Sequence, residues 1–425
     1  MLDMKYIRDH AEEVKENNKR RRIDIDIERL LSLDGMRVTL IQKAEDFRRR
    51  RNEIAEQMKS AKKTERDPLI EEGRAMKEKI AEAETALSPI ESEWKELLLR
   101  VPNITHPDAP VGADDTQNRE IKSVGKVPKL KFEPLSHVEL GKRLDVLDFE
   151  RGAKVAGAKF YFIKGKLALL EQALVQWVLK EAVAEGFTPM ITPDLAKDEV
   201  LIGTGYMPRG PETQIYSIEK TDLSLVGTAE IPLGGYHKDE ILDANLLPIK
   251  YVGLSHCFRT EAGAYGREST GLYRVHQFNK VELFAYAAPD QSDAFHEELR
   301  AFEERIFTKL GVPFRTVDIC TGDLGGPAYR KYDLEAWMWC KGEGKGGWGE
   351  VTSASNCTDY QARRLNIRFR NAEGVPTFAH TLNGTAVATS RGLIAIMENY
   401  QQADGSIAVP EVLRPFCGFD SIGPA

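Results

Sequence analysis

Residues 258–284, FRTEAGAYGRESTGLYRVHQFNKVELF, decide how the rest of the chain is read. Both ends have strand character, and the polar stretch between them carries Gly263, Gly266 and Gly271. Side chains alternate faces along a strand, so Arg259 and Glu261 share one face. Phe278 and Glu282 share a face on the second strand by the same parity, as do Thr228 and Glu230 in VGTAEIPL. Any one pair also suits the solvated face of an ordinary sheet. As neighbours in one sheet, the three segments place a guanidinium, several carboxylates and an aromatic ring on its open side. That set suits gripping an amino acid and a nucleotide together. The arginine can bind a carboxylate or phosphate in bidentate fashion, and the ring can stack on a base. One glutamate can accept from an exocyclic amine and another can hold an α-ammonium. The glycine-spaced loop can close over a triphosphate.

Outward from this stretch, strands are expected at 159–165, 186–193, 223–228, 250–261, 273–286, 314–318 and 347–353. Helices are expected at 166–185, 290–310 and 386–401. Few regular crossovers separate the strands, which points to an antiparallel-rich α+β domain rather than a doubly wound one. The sequence has no phosphate-binding P-loop and no H-E-x-x-H, and no dinucleotide-binding G-x-G-x-x-G follows an expected strand.

The first hundred residues differ in kind. Leu69, Gly73, Met76, Ile80, Ala83, Leu87, Ile90, Trp94, Leu97 and Val101 step by four and three, a heptad seam. Leu40, Ala44, Phe47, Ile54, Met58 and Ala61 keep the same rhythm, with Arg51 in one seam slot. Thr64 to Pro68 reads as the turn, with Asp67-Pro68 starting the second helix, and Pro89 reads as a kink. Two antiparallel helices of about 50 Å each follow from the helical rise. Arg48, Arg49, Arg50, Arg51, Lys59, Lys62, Lys63 and Arg66 make the tip and adjoining flank basic. A solvated helix face explains such a charge run, and so does a reach toward a polyanion. Residues 102–130, rich in Pro and Gly, read as a linker or an ordered extended arm.

Bulk composition is that of a globular protein: 425 residues, 42% apolar, 29% charged, net charge −7. The mild charge gives no global basic field, so any nucleic-acid surface is local. No stretch has the length of a membrane span, and the N-terminus lacks the apolar core of a signal peptide. Five cysteines without a C-x-x-C pair suit a reduced, cytoplasmic setting and argue against a zinc knuckle.

Four segments in order, GTAEIPL, FRTEAGAYGRESTGLYRVHQF, EVTSASNCTDYQARR and HTLNGTAVATSRGLIAIMENYQQADGSIAVPEVLRPF, resemble the signatures of bacterial-type seryl-tRNA synthetases, a class II aminoacyl-tRNA synthetase family. The resemblance spans the whole chain. It implies a tRNA-binding helical arm at 1–101 (coiled coil from about 27), a linker at 102–130 and a class II catalytic domain at 131–425 with a seven-stranded, mainly antiparallel sheet flanked by helices. The helix at 166–185 and the strand ending at Pro193 match the family's homodimer motif.

The resemblance further implies roles. Arg259, Glu350 and Arg391 would be catalytic. Arg259 would grip the α-phosphate, Glu261 would read the adenine amine, and Phe278 and Arg391 would lie on the two faces of the base. Thr260, Val275, Val351 and Thr352 would complete the ATP site, and Glu350 with Ser353 would hold Mg²⁺. Strict alternation sets Glu350 and Ser353 on opposite faces, so the strand is expected to end or turn near Thr352. Serine would be held by Thr228, Ala229, Glu230, Arg259, Glu282, Asn383 and Thr385. Glu282 is expected to meet the ammonium and the hydroxyl. The implied reaction is ATP-dependent ligation of serine to tRNA(Ser) through seryl-adenylate, and serylation of tRNA(Sec) where such a tRNA exists. The family's arm grips the long variable arm of tRNA, here with Arg48, Arg49, Lys59, Lys62, Lys63 and Arg66. Two rivals are a relative that activates an amino acid for a carrier protein, against which the full arm counts, and a catalytically dead coiled-coil protein, against which Arg259, Glu282, Glu350 and Arg391 count.

Overall fold

The computed structural model describes residues 1–206, 214–261 and 271–423. They divide into two compact units, Met1–Ile104 and Thr105–Ala425.

In the first unit two short helices, α1 (Met4–Asp9) and α2 (Ala11–Arg20), precede two long ones, α3 (Ile27–Ser60) and α4 (Lys63–Arg100). Asp26 caps α3 by accepting from the Arg29 amide at 2.8 Å. The turn falls at Ala61 and Lys62, earlier than the 64–68 expected from Pro68. Glu65 causes this: its side chain accepts from the Lys62 amide at 2.9 Å and starts α4 before the proline, which then lies inside the helix. The helix runs through Pro89 without a break. Ala44 and Ile54 of α3 and Met76, Ile80 and Ala83 of α4 are buried in the seam. Gly73 belongs to it as a small residue, because a Cβ there would sit 3.7 Å from Ile54 Cγ2. Arg51 is exposed, so its seam slot is not a buried one. At the open end Ile7, Val14, Leu30, Leu98 and Val101 form a small core.

The second unit is built on an eight-stranded sheet. Its strands are β1 (Arg119–Val124), β2 (Thr188–Ile191), β3 (Ile249–Phe258), β4 (Gln277–Ala287), β5 (Phe314–Asp318), β6 (Arg330–Met338), β7 (Gly347–Asn356) and β8 (His380–Ala388). The spatial order is β1-β5-β6-β7-β8-β4-β3-β2, antiparallel throughout except where β2 runs parallel to β3. One strand more than the seven expected is present. The 102–130 stretch supplies β1, which pairs with β5 as an ordered edge strand. On one face pack helices α5 (His137–Arg143), α6 (Gly165–Ala184), α8 (Ser292–Leu310) and α9 (Thr389–Asn399). Leu174, Trp177, Phe302 and Leu393 meet Val281, Leu283 and Ala354 of the sheet there. The opposite face carries a smaller apolar cluster around Phe284 and Tyr286, together with α7 (Glu230–Gly235). The 386–401 helix begins only at Thr389, because β8 extends to Ala388. Among the described residues no helix is long and apolar enough to cross a membrane.

The seam makes a local prediction. Ile54→Ala opens a void in a thin, two-helix interface and is expected to cost about 2 kcal/mol in the arm. Hydrogen exchange should then quicken across Met76–Ala83 and stay unchanged in β4. Equal quickening in β4 would mean that the arm does not open on its own.

Candidate active site

The open face of the sheet becomes a site through two irregularities. On β7 the pairing shifts so that Leu334 faces Thr352 while Glu335 faces Glu350, leaving Val351 as an extra residue. Such a bulge reverses the parity beyond it. Glu350, Ser353 and Ser355 therefore all line one cavity, and the strand runs on to Asn356 instead of ending near Thr352. On β8 the shift between Thr385 and Val387 leaves Ala386 extra. Asn383 and Thr385 before it and Ala388 after it then face the same cavity, and the strand delivers Ser390 and Arg391 on α9 to its rim.

The cavity holds about 410 Å³. β4 gives it Phe278 and Lys280, as parity requires. β3 stops at Phe258, so Arg259 and Glu261 reach the cavity from beyond the strand rather than from alternate positions on it. Glu261 has φ +48°, and Arg274 lies 3.4 Å from its carboxylate. The Arg259 amide donates to the His276 carbonyl at 3.0 Å, and its guanidinium carbon stands 5.3 Å from the Phe278 ring centre. Val275 and Val351 line the cavity with their apolar surfaces. Thr352 lines it too, but its hydroxyl points the other way, donating to Glu303 at 2.7 Å. Thr260 is outside the lining; its amide donates to the Gln214 carbonyl at 3.0 Å. Gly263 and Gly266 lie outside the described residues.

VGTAEIPL is not a strand at its centre. Glu230 opens α7, and Thr228 accepts from the Glu230 amide at 3.2 Å, so the shared strand face expected for this pair does not exist. Glu230 still reaches the cavity, whereas Thr228 and Ala229 are buried outside its lining. Tyr206 and Gln361 donate to the Glu230 carboxylate at 3.0 and 2.8 Å. Burial, with Glu282 nearby, pushes the Glu230 carboxyl up to about 7.

Glu282 has no exposed surface and stands directly behind the wall. Three lining residues hold it: Lys280 at 2.6 Å, Asn383 at 3.2 Å and Thr385 at 3.3 Å. Glu350 has the opposite electrostatics to Glu230. Burial alone would raise it, but Arg391, Lys331 and Arg259 together hold it down at about 2. Its side chain keeps 41% of its surface open to the cavity, which screens part of that attraction. Arg391 lies 3.2 Å from the Glu350 carboxylate, and its guanidinium carbon sits 4.6 Å from the Tyr273 ring centre.

Several side chains at or beside the cavity escaped sequence reasoning. Lys280 has the parity of Phe278 and Glu282 and could have been found from it. Tyr273 lies within the opening stretch, where nothing in the pattern sets it apart. Lys331 and Asp333, paired at 2.9 Å, sit on β6, which carries no strand signal as clear as its neighbours. A hard cation fits beside Glu350 and Ser353. Asp333 faces Ser353 across the strands, and its Oδ1 is buried without a hydrogen-bond partner among the described residues.

In the arm, Arg48 pairs with Glu84 at 2.6 Å, Lys59 with Glu56 at 2.6 Å, and Arg49 with Asp46. These cations are partly neutralised from within the arm. Lys62, Lys63 and Arg66 form no ion pair among the described residues, and all three are exposed.

Comparison with known proteins accounts for the arrangement. Residues 215–400 match the class II tRNA synthetase core domain shared by the glycine, histidine, proline, serine and threonine enzymes. The sheet and its cavity are thus a class II aminoacyl-tRNA synthetase core. Residues 1–105 match the seryl-tRNA synthetase N-terminal domain. The chain is 55% identical to the serine--tRNA ligase of Treponema denticola and 53% identical to that of Rubrobacter xylanophilus, over 100% of each chain. A crystal structure of the Pyrococcus horikoshii seryl-tRNA synthetase complexed with ATP superposes with a TM-score of 0.89 at 40% identity, covering 100% of both chains. The cytoplasmic serine-tRNA ligase of Naegleria fowleri in complex with AMP gives 0.82 at 31% identity, covering 97% of this chain and 96% of that one. The chain belongs to the seryl-tRNA synthetase family.

The raised Glu230 carboxyl has a pH signature. Its contribution to stability is full below the ordinary glutamate value of 4.5 and is lost as pH rises through about 7. Glu230→Gln carries no such loss. Urea unfolding should show the variant gaining on the native protein between pH 5 and 8, by an amount on the order of a few kcal/mol at most. A difference independent of pH would contradict the assignment.

Proposed function

We infer that this chain joins L-serine to tRNA(Ser) in two steps at the cavity, consuming ATP. The observation that carries the reading is the Glu282–Asn383–Thr385 cluster beside Arg259, Glu350 and Arg391, in a chain alike over its full length to serine--tRNA ligases.

In the first step a serine carboxylate oxygen attacks the α-phosphorus of ATP, the bond to pyrophosphate breaks, and seryl-adenylate forms. The carboxylate is already ionised, so the step needs placement and charge neutralisation rather than a base. Arg259 receives the α-phosphate and the serine carboxylate. Glu261 accepts from the adenine amine, Phe278 stacks on one face of the base, and Arg391 covers the other and extends to the γ-phosphate. Val275, Val351 and Thr352 close the nucleotide site, and Thr260 flanks it between Arg259 and Glu261. Glu350 and Ser353 offer oxygen donors for Mg²⁺, which when bound offsets phosphate charge. In the second step the terminal ribose hydroxyl of tRNA attacks the seryl carbonyl and AMP leaves.

Glu282 supplies the negative charge for the serine ammonium, and Asn383 and Thr385 supply partners for its polar atoms. Thr228, Ala229 and Glu230 shape that end of the site from α7 and the turn before it. A site whose polar groups await a hydroxyl rejects alanine by a factor of up to about 10⁴–10⁵, because those groups are left unpaired. Threonine is refused by shape, since it keeps the hydroxyl and adds a methyl.

The reading extends to partners. The arm at 1–101 grips the long variable arm of tRNA through Arg48, Arg49, Lys59, Lys62, Lys63 and Arg66, chiefly by backbone charge and shape. Residues 102–130, which also lend β1 to the sheet, connect it to the catalytic domain at 131–425. The enzyme works as a homodimer in the cytoplasm and serylates tRNA(Sec) where that tRNA is made.

Serine-dependent ATP–pyrophosphate exchange followed by charging of a long-variable-arm tRNA tests the function. Absence of exchange with serine overturns it, and exchange without charging favours a carrier-protein acceptor. Arg37 and Glu91 pair at 3.1 Å, so residues 40 and 90 can be joined by a short turn. That deletion should keep exchange and abolish charging; surviving charging would remove the arm from tRNA binding.

A further inference from the structure

A buried pair outside the cavity controls how two of its walls meet. His137, the first residue of α5, and Glu398, near the end of α9, have no exposed surface. Glu398 accepts three N–H groups: the His137 amide at 2.8 Å, His137 Nδ1 at 2.7 Å and the Cys340 amide at 2.9 Å. On the far side of the ring, His137 Nε2 accepts from the Leu272 amide at 3.0 Å. An amide can only donate, so Nε2 carries the lone pair and the ring proton sits on Nδ1, directed at Glu398. The imidazole therefore bridges helix α9 to the chain just before β4.

The neighbouring residues make this bridge specific. Gly271 has φ +65°, and a Cβ there would lie 2.1 Å from His137 Nε2. Its glycine character is set by the close approach of the ring. Next to Leu272 is Tyr273, which lines the cavity. Arg391 rests on the Tyr273 ring, and its Nε donates to the Tyr273 carbonyl at 3.4 Å. Lys341 Nζ stands 3.7 Å from the centre of the same ring, and a Cβ at Gly349 would come within 3.2 Å of it. Arg391 and Glu398 lie about two helical turns apart on α9 and so project from the same side. The 271–273 segment is thus tied to α9 at two points, through His137 to Glu398 and through Tyr273 to Arg391.

Spacing alone also permits a metal, since ligand atoms of His137, Cys340 and Glu398 lie within 4.8 Å of one another. The hydrogen bonds already account for this spacing. Both ring nitrogens and both Glu398 oxygens are engaged, and burial followed by the nearby Glu398 pushes the Cys340 thiol up, keeping it protonated.

We propose that His137 is a positioning residue for adenylation: by holding the Leu272 amide against the Glu398 end of α9, it fixes Tyr273 and through it the place of Arg391 in the ATP site. The inference rests on Arg391 being an ATP contact, as proposed above.

Pyrophosphate exchange with ATP and serine varied separately tests it. His137→Ala should raise KM for ATP by about 10- to 100-fold, because a small misplacement of a substrate-holding group has a large effect. KM for serine should change by less than about twofold, since the serine end does not touch the bridge. His137→Gln, whose amide offers an NH2 group that donates and a carbonyl oxygen that accepts, should restore most of the ATP affinity. Gly271→Ala, which pushes on the ring without removing it, should reproduce the ATP effect. If His137→Ala fails to fold, the Gln and Gly271→Ala variants decide by the same readings. A fall in kcat with both KM values unchanged, or a Gln variant no better than Ala, overturns the proposal. Arg391→Ala is measured alongside. If it leaves KM for ATP unchanged, the reading of Arg391 fails; if it raises that KM while His137→Ala and Gly271→Ala do not, only the positioning role fails.

Discussion

Glu282 is a carboxylate with no exposed surface, and a charge taken out of water must be paired and hydrogen-bonded where it stands. Its partners come from two strands: Lys280 from β4 itself, and Asn383 and Thr385 from β8. Such a carboxylate fixes the register of these strands. A slip of one residue would turn Asn383 and Thr385 to the helix-covered face and leave the charge without partners. The Ala386 bulge meets the remaining constraint. It lets Thr385 face Glu282 while Ala388 still faces the cavity, so that α9 starts at its rim and brings Arg391 in.

The same economy governs the other acids. Glu230 is buried, which disfavours its charged form, and the nearby Glu282 disfavours it further, so its carboxyl is raised. Glu350 faces Arg391, Lys331 and Arg259 and is held ionised. Carboxyls around one cavity thus differ in charge because their burial and their neighbours differ. The cationic end suits phosphates and the end at Glu282 suits an ammonium, the separation on which the proposed placement of ATP and serine rests. Each carboxyl's state depends on strand geometry, and for Glu350 that geometry is the Val351 bulge.

The sequence carried much of this and concealed specific parts. The helical arm was legible because a heptad repeats over many turns, and only its turn was misplaced, since Pro68 is a louder signal than the Glu65 side chain that starts α4. β3 and β4 were legible from apolar alternation. β6 and β8 were not, because RKYDLEAWM mixes charges on its cavity face and HTLNGTAVA is poor in large apolar residues. Both are nearly buried on each side, so no polar-apolar rhythm remains to be read. β1 hid in a proline- and glycine-rich stretch whose strand is an exposed edge. Parity located Phe278 and Glu282 correctly on one face. It failed at Glu230, which opens a helix, and at Ser353, where a bulge resets the count. His137 was invisible, because its importance lies in a contact with Leu272, distant in sequence.

The account stands most directly on Glu282 as the charge that receives serine. Glu282→Gln keeps the size of the side chain and one acceptor oxygen, and removes the charge. Steady-state pyrophosphate exchange should show KM for serine raised by about 100-fold or more, the scale of losing a charge-assisted contact, with KM for ATP nearly unchanged. An unchanged KM for serine in a folded Glu282→Gln protein would contradict the account, because the buried charge around which the strands are arranged would then have no part in holding the substrate.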